Sequence, residues 1–255
     1  MGFEFLRPQW PCPEPVQSLV TTRLGGVSEV PYSSLNLGDH VGDLLSHVKA
    51  NRALLKEELP TEPIWLKQVH GSVVSTPDVR TLDADAIVTN NPNEVLAIMS
   101  ADCLPVIFTN TMGTIVGAAH AGWRGLCAGV LENTLKEMQA LATKDGERDI
   151  IAYLGPAIGP KAFEVGQDVV DAFIACGTPF PDASFVPIND CPGKYLANIY
   201  LLARSRLEVV GVSNIHGGEF CTVTQGNRFF SYRRDGVTGR FASLIWISEG
   251  KQDEC

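Results

Sequence analysis

Several features that mark other classes of protein are missing from this sequence. Its seven cysteines are scattered, and none forms a Cys-X-X-Cys pair, so they indicate reduced thiols rather than a disulfide framework. The longest apolar stretch, residues 95–108, is interrupted by Ser100 and Asp102 and is too short to span a bilayer. Residues 1–10 lack the basic and apolar regions of a secretory leader. We therefore expect a cytoplasmic protein that does not act in a membrane.

Positive charge is also scarce. Twenty Lys and Arg residues against 29 Asp and Glu residues give a formal net charge of -9, which argues against nucleic acid as a partner. Neither GxGxxG nor GxxxxGK[ST] follows a predicted strand, so a dinucleotide site and a P-loop are both disfavoured. A small-molecule substrate fits this composition, and local arginines would have to bind it if it is anionic.

The pattern of apolar residues predicts a single domain over residues 1–255, because no repeat or linker interrupts it. Runs rich in Val and Ile predict strands at 18–23, 63–70, 72–77, 85–90, 94–100, 104–110, 113–120, 149–155 and 240–248. Helical spacing of apolar residues predicts helices at 43–59, 125–142, 166–176 and 195–210. Irregular alternation of the two favours an α/β (α+β) layered sandwich with a mixed β-sheet.

Three residues stand at the ends of predicted buried strands. His70, Cys103 and His120 are the candidates for a catalytic centre, because polar groups at strand ends beside turns are where sheet proteins place functional side chains. Two imidazoles and a thiolate form a ligand set for Zn²⁺ that leaves one position open for substrate. The same residues also fit a metal-free cysteine hydrolase in which His120 activates Cys103.

Other candidates are weaker. His47 is expected at a helix surface and His216 in a structural role, whereas His40, in a Gly/Asp loop, could line a site. Gln68 is two residues from His70 and would share its face of an extended strand.

Four arginines lie beside flexible turns. A guanidinium group is planar and permanently charged, which suits phosphate or carboxylate binding. The four candidates are Arg23, Arg124, Arg233 and Arg234.

Several longer motifs resemble the YfiH family over nearly the whole chain. They are TTRLGGVSEVPYSSLNLGDHVGD (21–43), QVHG (68–71), DADAIVT (83–89), ADCLPV (101–106), HAGWRG (120–125), LGPAIGP with FEVG (154–166) and SYRRDGVTGR (231–240). The resemblance implies a mixed α/β sandwich similar to a class of toxin cysteine hydrolases, with zinc bound by His70, Cys103 and His120. Members of the family are described as laccase-like polyphenol oxidases, as purine nucleoside phosphorylases with adenosine deaminase activity, and as peptidoglycan editing factors.

Among these activities, the residues favour the purine nucleoside chemistry. A multicopper oxidase needs several His-X-His pairs, and none occurs here, so copper at the zinc site would be adventitious. Phosphorolysis of purine nucleosides, methylthioadenosine included, and deamination of adenosine both suit one zinc ion with an open position. Amide hydrolysis of a peptidoglycan precursor is the alternative, and a non-enzymatic zinc protein is disfavoured. The oligomeric state stays open.

The nucleoside chemistry assigns expected roles to further residues. The proton-transferring carboxylate is Asp102, Asp83 or Asp85, and the arginines bind phosphate. Asn36 and His40 are expected at the ribose hydroxyls.

Overall fold

Strands and helices alternate along the chain in a computed structural model, which describes residues 4–144 and 146–249. The strands are β1 (Phe5–Leu6), β2 (Val16–Thr21), β3 (Ile64–Trp65), β4 (Val74–Ser75), β5 (Ala86–Thr89), β6 (Leu96–Ser100), β7 (Leu104–Asn110), β8 (Val116–Ala121), β9 (Ile150–Leu154), β10 (Glu164–Gly166), β11 (Phe185–Pro187), β12 (Lys194–Ala197), β13 (Asn214–Gly217) and β14 (Phe241–Ile247). The helices are α1 (Leu45–Lys56), α2 (Trp123–Cys127), α3 (Val130–Leu141), α4 (Gln167–Ala175), α5 (Ile199–Val209) and α6 (Tyr232–Asp235), with a 3₁₀ turn at Asp182–Ser184. Both ends of the predicted domain, including Cys255, lie outside the described residues.

Two large sheets and one small sheet organise these strands. The five-stranded sheet has the order β1-β2-β14-β6-β3, and the six-stranded sheet has the order β13-β9-β7-β8-β5-β4. Both are mixed, because β3–β6, β13–β9 and β4–β5 pair in parallel while their other neighbours are antiparallel. The small sheet, β10-β12-β11, is antiparallel. The predicted mixed α/β sandwich is confirmed.

The buried apolar residues of the described chain form four clusters. Strand β7 contributes to two of them, which explains why its sequence is continuously apolar. Every residue of β7 is buried. Ile107 packs between the two large sheets, whereas Val106 and Phe108 belong to the core beneath helices α2–α5. Successive strand residues point to opposite faces, so a strand covered on both sides needs apolar residues throughout. On the far side, Leu55 of α1 packs with Leu244 of β14.

Two predicted helices have different bounds in the structure. The helix expected over 125–142 is divided at Gly129, whose φ of 86° is a left-handed conformation that suits glycine. The segment 195–210 begins as β12 and turns helical only after Asn198, whose side-chain oxygen accepts hydrogen bonds from the backbone N–H groups of Tyr200 and Leu201. In both cases the apolar spacing is helical, and a local cap sets the boundary.

Two predicted strands are much shorter than expected. The segment 63–70 is a strand only at Ile64–Trp65, and 72–77 only at Val74–Ser75. His70 therefore lies in irregular backbone rather than at a strand end. Within the described ranges, no helix combines the length and hydropathy needed to cross a bilayer.

Candidate metal centre

Strand β8 carries His120 between two neighbouring strands. Pro105 of β7 lies opposite His120, which brings Cys103, two residues earlier, to the same edge of the sheet. On the other side of β8, the His120 backbone N–H donates to the carbonyl oxygen of Asp85 at 2.7 Å. Strand register alone therefore gathers three polar residues that are distant in sequence.

The Asp85 carboxylate connects His120 to His70. It is fully buried, and its Oδ1 pairs with His120 Nδ1 at 2.9 Å and accepts from the His70 backbone N–H at 2.9 Å. Its Oδ2 accepts from the backbone N–H groups of Val69 and Gly71 at 3.1 and 2.7 Å. Burial raises the pKa of Asp85, but the bonds from His120 and Gly71 outweigh it and keep this pKa below its ordinary value. One ionised carboxylate thus fixes both the His120 ring and the turn that presents His70.

His70, Cys103 and His120 converge in space. Each offers one ligand atom, and these atoms lie within 4.8 Å of one another. Cys103 Sγ is 3.7 Å from His70 Nε2, and the two imidazole centroids are 4.8 Å apart with their planes at 78°. The sequence pattern identified each of these three residues as a candidate separately, and the fold assembles them into one cluster.

The cluster fits a tetrahedral metal ion. Zinc bonds of about 2.3 Å to sulfur and about 2.0 Å to nitrogen place neighbouring ligand atoms about 3.5 Å apart, close to the 3.7 Å between Cys103 Sγ and His70 Nε2. Because Asp85 holds His120 Nδ1, His120 has Nε2 free for a ligand role. A carboxylate behind a ligating histidine is the usual support of such a site. Three ligands leave a fourth position for a substrate atom.

The thiol and the imidazole also influence each other's ionisation. Burial raises the pKa of Cys103, but the charge of His120 and hydrogen bonds from both histidines lower it to about 6. Burial lowers the pKa of His120, but Cys103 and Asp85 together raise it to about 9. Cys103 is therefore inclined to the thiolate form, which is both the metal ligand and the nucleophilic form of cysteine.

Asp102 anchors the backbone beside Cys103. Its φ of 99° lies in the left-handed region, and its side chain accepts from Thr222 Oγ1–H and from the Arg233 backbone N–H, both at 2.6 Å. These bonds tie the Cys103 turn to helix α6 and favour the strained backbone. Three carboxylates were expected to transfer protons. Asp102 is buried but borders a cleft, Asp85 is fully buried and lines neither cleft at the cluster, and Asp83 pairs with Lys67 at 3.0 Å on the surface.

Two clefts meet at the cluster and share His70, Ala101, Cys103 and Tyr232. Cleft A has a volume of about 310 Å³, and its other lining residues are His40, Gln68, Met99, Ser100, His120 and Arg240. Cleft B has a volume of about 290 Å³, and its other lining residues are Asp102, Trp123, Arg124, Ile158, Phe163, Ile199 and Arg233. Together they reach the size of a small-molecule site.

Four further candidate residues lie at these clefts. His40 and Gln68 line cleft A, while Arg124 and Arg233 line cleft B. The Gln68 amide pairs with both the N–H and the carbonyl of Met99, at 2.9 and 2.8 Å, so it also holds the 66–70 segment beside β6.

The structure places three other candidates away from the clefts. Asn36 is fully buried, and its side-chain amide forms hydrogen bonds with Gly38, Asp43 and the backbone of Arg240. The Arg23 guanidinium donates to the carbonyls of Ser33 and Gly226 at 3.0 Å each. The Arg234 guanidinium donates to the carbonyls of Thr222, Val223 and Phe229 and pairs with Asp235. Protein groups thus occupy side chains that were expected to bind ribose or phosphate.

Several cleft residues were not singled out from the sequence, namely Trp123, Phe163, Tyr232 and Arg240. All four lie within the motifs that carry the family resemblance. Their position in those motifs was the signal, because neither periodicity nor charge distinguishes them.

Gly122 leaves space for the side chains of two candidate ligands, His70 and Cys103. A Cβ atom there would lie 3.0 Å from His70 Cδ2 and 3.1 Å from Cys103 Sγ. We expect Gly122→Ala to weaken zinc binding about 10-fold, measured against a competing chelator, because the ligands must shift. Its φ of -61° and ψ of 157° suit alanine, so the metal-free variant should melt near the wild-type temperature. Unchanged zinc affinity would contradict this role of Gly122.

Fold and site together define a layered α/β protein with a three-ligand, metal-compatible centre between two clefts. The family model described as "Multi-copper polyphenol oxidoreductase laccase" matches residues 17–248. The chain therefore belongs to this family, and the predicted family resemblance is confirmed.

Relatives match nearly the full length of the chain. "Purine nucleoside phosphorylase" of Haemophilus influenzae is 51% identical over 246 residues, covering 95% of this chain and 98% of that protein. "Purine nucleoside phosphorylase YfiH" of Escherichia coli is 52% identical over 245 residues, covering 94% and 97%. The crystal structure of Neisseria meningitidis protein NMB0706 has a TM-score of 0.86 at 48% identity and covers 96% of this chain and 99% of its own.

Proposed function

We propose that this chain is a zinc-dependent purine nucleoside phosphorylase of the cytoplasm that also deaminates adenosine. Its substrates would be purine nucleosides, methylthioadenosine included, and inorganic phosphate. The proposal is supported by the names of relatives that are about half identical over nearly all of the chain. The observation that carries it is the His70, Cys103 and His120 cluster at the junction of two clefts.

The zinc assignment follows from the donor set. A thiolate and two imidazoles suit zinc, whereas multicopper centres need many more histidines. Within the described ranges, this cluster is the only group of His, Cys, Asp and Glu side chains that could hold a metal. Laccase chemistry in this chain would therefore be weak and adventitious. When bound, zinc would supply a Lewis acid at the junction of the clefts.

Phosphorolysis needs two reactants held in line. A phosphate oxygen bonds to C1′ of the ribose, the C1′–N9 bond breaks, and its electron pair leaves with the base. The proton of hydrogen phosphate ends on the base, which balances the reaction. Two clefts that meet at one point provide separate places for the two reactants, and orientation of this kind contributes much of catalysis.

Deamination of adenosine needs a group that moves a proton between water and the leaving amine. Asp102 fits this role best, since it borders cleft B next to Cys103. Its two short bonds, from Thr222 and Arg233, orient the carboxylate.

The test is turnover of inosine and adenosine by the zinc-loaded protein, with and without phosphate. We expect hypoxanthine and ribose 1-phosphate from inosine only when phosphate is present, and inosine and ammonia from adenosine without phosphate. Cys103→Ala prepared in parallel controls for contaminating host enzymes. Failure to release a base from any purine nucleoside in the presence of phosphate would refute the proposal.

A cysteine hydrolase is the second candidate, and one observation favours it. Asp85, His120 and Cys103 follow one another as orienting acid, base and nucleophile, the arrangement of a catalytic triad. Such an enzyme would cleave an amide bond in a peptidoglycan precursor. Hydrolysis of such an amide by chelator-treated protein, with an acyl adduct on Cys103 detected by mass spectrometry, would establish this candidate instead.

A further inference from the structure

Arg240 is a cation beside the candidate centre, where Cys103 and Asp102 act on it electrostatically, but no carboxylate in the described part of the chain forms an ion pair with it. Its side chain lines cleft A together with His70, Cys103 and His120. It is partly buried, and its Nη1 donates to the carbonyls of Thr238 and Gly239 at 3.1 and 3.0 Å.

Those two bonds use one edge of the guanidinium. Within residues 4–144 and 146–249, neither Nε nor Nη2 of Arg240 has a hydrogen-bond acceptor, and no carboxylate pairs with the group. The guanidinium is planar and held through Nη1, and its Nε and Nη2 donors lie together on the other edge. Such an edge is suited to binding an oxyanion.

The arginines of cleft B differ from Arg240. Arg124 is exposed and stacks on Trp123 with its guanidinium carbon 4.3 Å from the ring centroid. Arg233 is exposed as well, and its Nη1 donates to the carbonyl of Glu164 at 3.0 Å. Neither lines the cleft that all three candidate ligands share.

The two clefts also differ in the chemistry of their walls. Cleft B carries aromatic and aliphatic side chains, with Trp123, Phe163, Ile158 and Ile199 among them, and such walls suit the flat face of a purine. Cleft A carries His40, Gln68, Ser100 and Arg240 and is the more polar of the two. Tyr232 borders both.

From this division we infer that phosphate binds in cleft A against the free edge of Arg240, while the purine base occupies cleft B. The ribose then bridges the shared residues, which places C1′ near the His70 and Cys103 side chains. This inference rests on the proposed function and assigns each reactant to its own side of the centre. It also assigns phosphate binding to Arg240, which is not among the four arginines expected from the sequence to bind phosphate.

The test compares Arg240→Met with Arg124→Met and Arg233→Met in the zinc-loaded protein. Loss of a charge-assisted pair should raise the KM for phosphate about 10- to 100-fold in Arg240→Met, with the KM for inosine changed less than about 3-fold. The two cleft B variants should keep the phosphate KM and raise the inosine KM instead. Arg240→Lys keeps the charge without the fork, so its phosphate KM should fall between wild type and Arg240→Met.

Calorimetric measurement of inorganic phosphate binding to each variant separates this inference from the proposed function. Thermal melts of each variant establish that the protein is folded. Phosphate binding that depends on Arg240, in a protein without phosphorolysis, would support the site and refute the function. Phosphorolysis with an unchanged phosphate KM in folded Arg240→Met and Arg240→Lys would refute the site and leave the function standing.

Discussion

Replacing Asp85 by asparagine is expected to lower the free energy of unfolding by about 3–5 kcal/mol and zinc affinity by about 10- to 100-fold. The carboxylate is fully buried and accepts from three backbone N–H groups as well as pairing with His120. In asparagine, an NH₂ group would replace one carboxylate oxygen and would face these N–H donors, with which it cannot form a hydrogen bond. The prediction is measured by denaturant unfolding of the metal-free protein and by zinc titration against a chelator.

Asp83→Asn is the matched control, since Asp83 lies two residues away in the same motif. Its carboxylate is exposed and pairs only with Lys67 in the hydrogen-bond and ion-pair network of the described residues. Exposed pairs contribute about 0–1 kcal/mol, so stability and zinc affinity should stay near wild type. Equal effects of the two substitutions would contradict the assignment of Asp85 as the support of the centre.

Removing the Cys103 sulfur is expected to have the largest effect on activity. Cys103→Ala deletes one of three candidate ligands, and we expect bound zinc to fall from about one per chain to a small fraction, since two histidines alone bind it weakly. Phosphate-dependent base release should fall about 1000-fold or more. Mass spectrometry of metal content and an inosine assay measure the two losses.

Cys191→Ala serves as the control for this substitution, because Cys191 is an exposed free cysteine. Its metal content and turnover should match wild type. Full zinc content in Cys103→Ala, with Cys191→Ala also full, would place the ion elsewhere and overturn the site.

The buried strands were predictable from sequence because each carries its own signal. Residues 104–110 were expected as a strand and form β7 with the same bounds, since a strand buried on both faces is apolar throughout. The strand expected over 63–70 was wrong beyond Trp65. There the path of the chain is set by Asp85, a partner 15 residues from His70, and no local pattern reveals that contact.

The candidate site was likewise predictable from the sequence only in part. Position at the end of a predicted apolar strand, beside Gly or Pro, identified His70, Cys103 and His120 one at a time, and the family motifs connected them. The sequence did not predict which arginines are free to bind a ligand. The Arg23 guanidinium is held by the carbonyl of Gly226, which lies in a distant segment, and the Arg234 guanidinium is held by the carbonyls of Thr222 and Val223 in the preceding loop. Whether a guanidinium is free depends on tertiary contacts that its neighbours in sequence do not encode.

We expect one zinc ion at His70, Cys103 and His120 to be required for phosphate-dependent cleavage of purine nucleosides. The most direct test adds zinc in small steps to chelator-stripped protein and measures hypoxanthine release from inosine and phosphate after each step. We predict background activity without metal, a linear rise, and a plateau at about one zinc per chain. Full activity in the stripped protein, or a bound equivalent of zinc that restores none, would contradict the requirement for zinc.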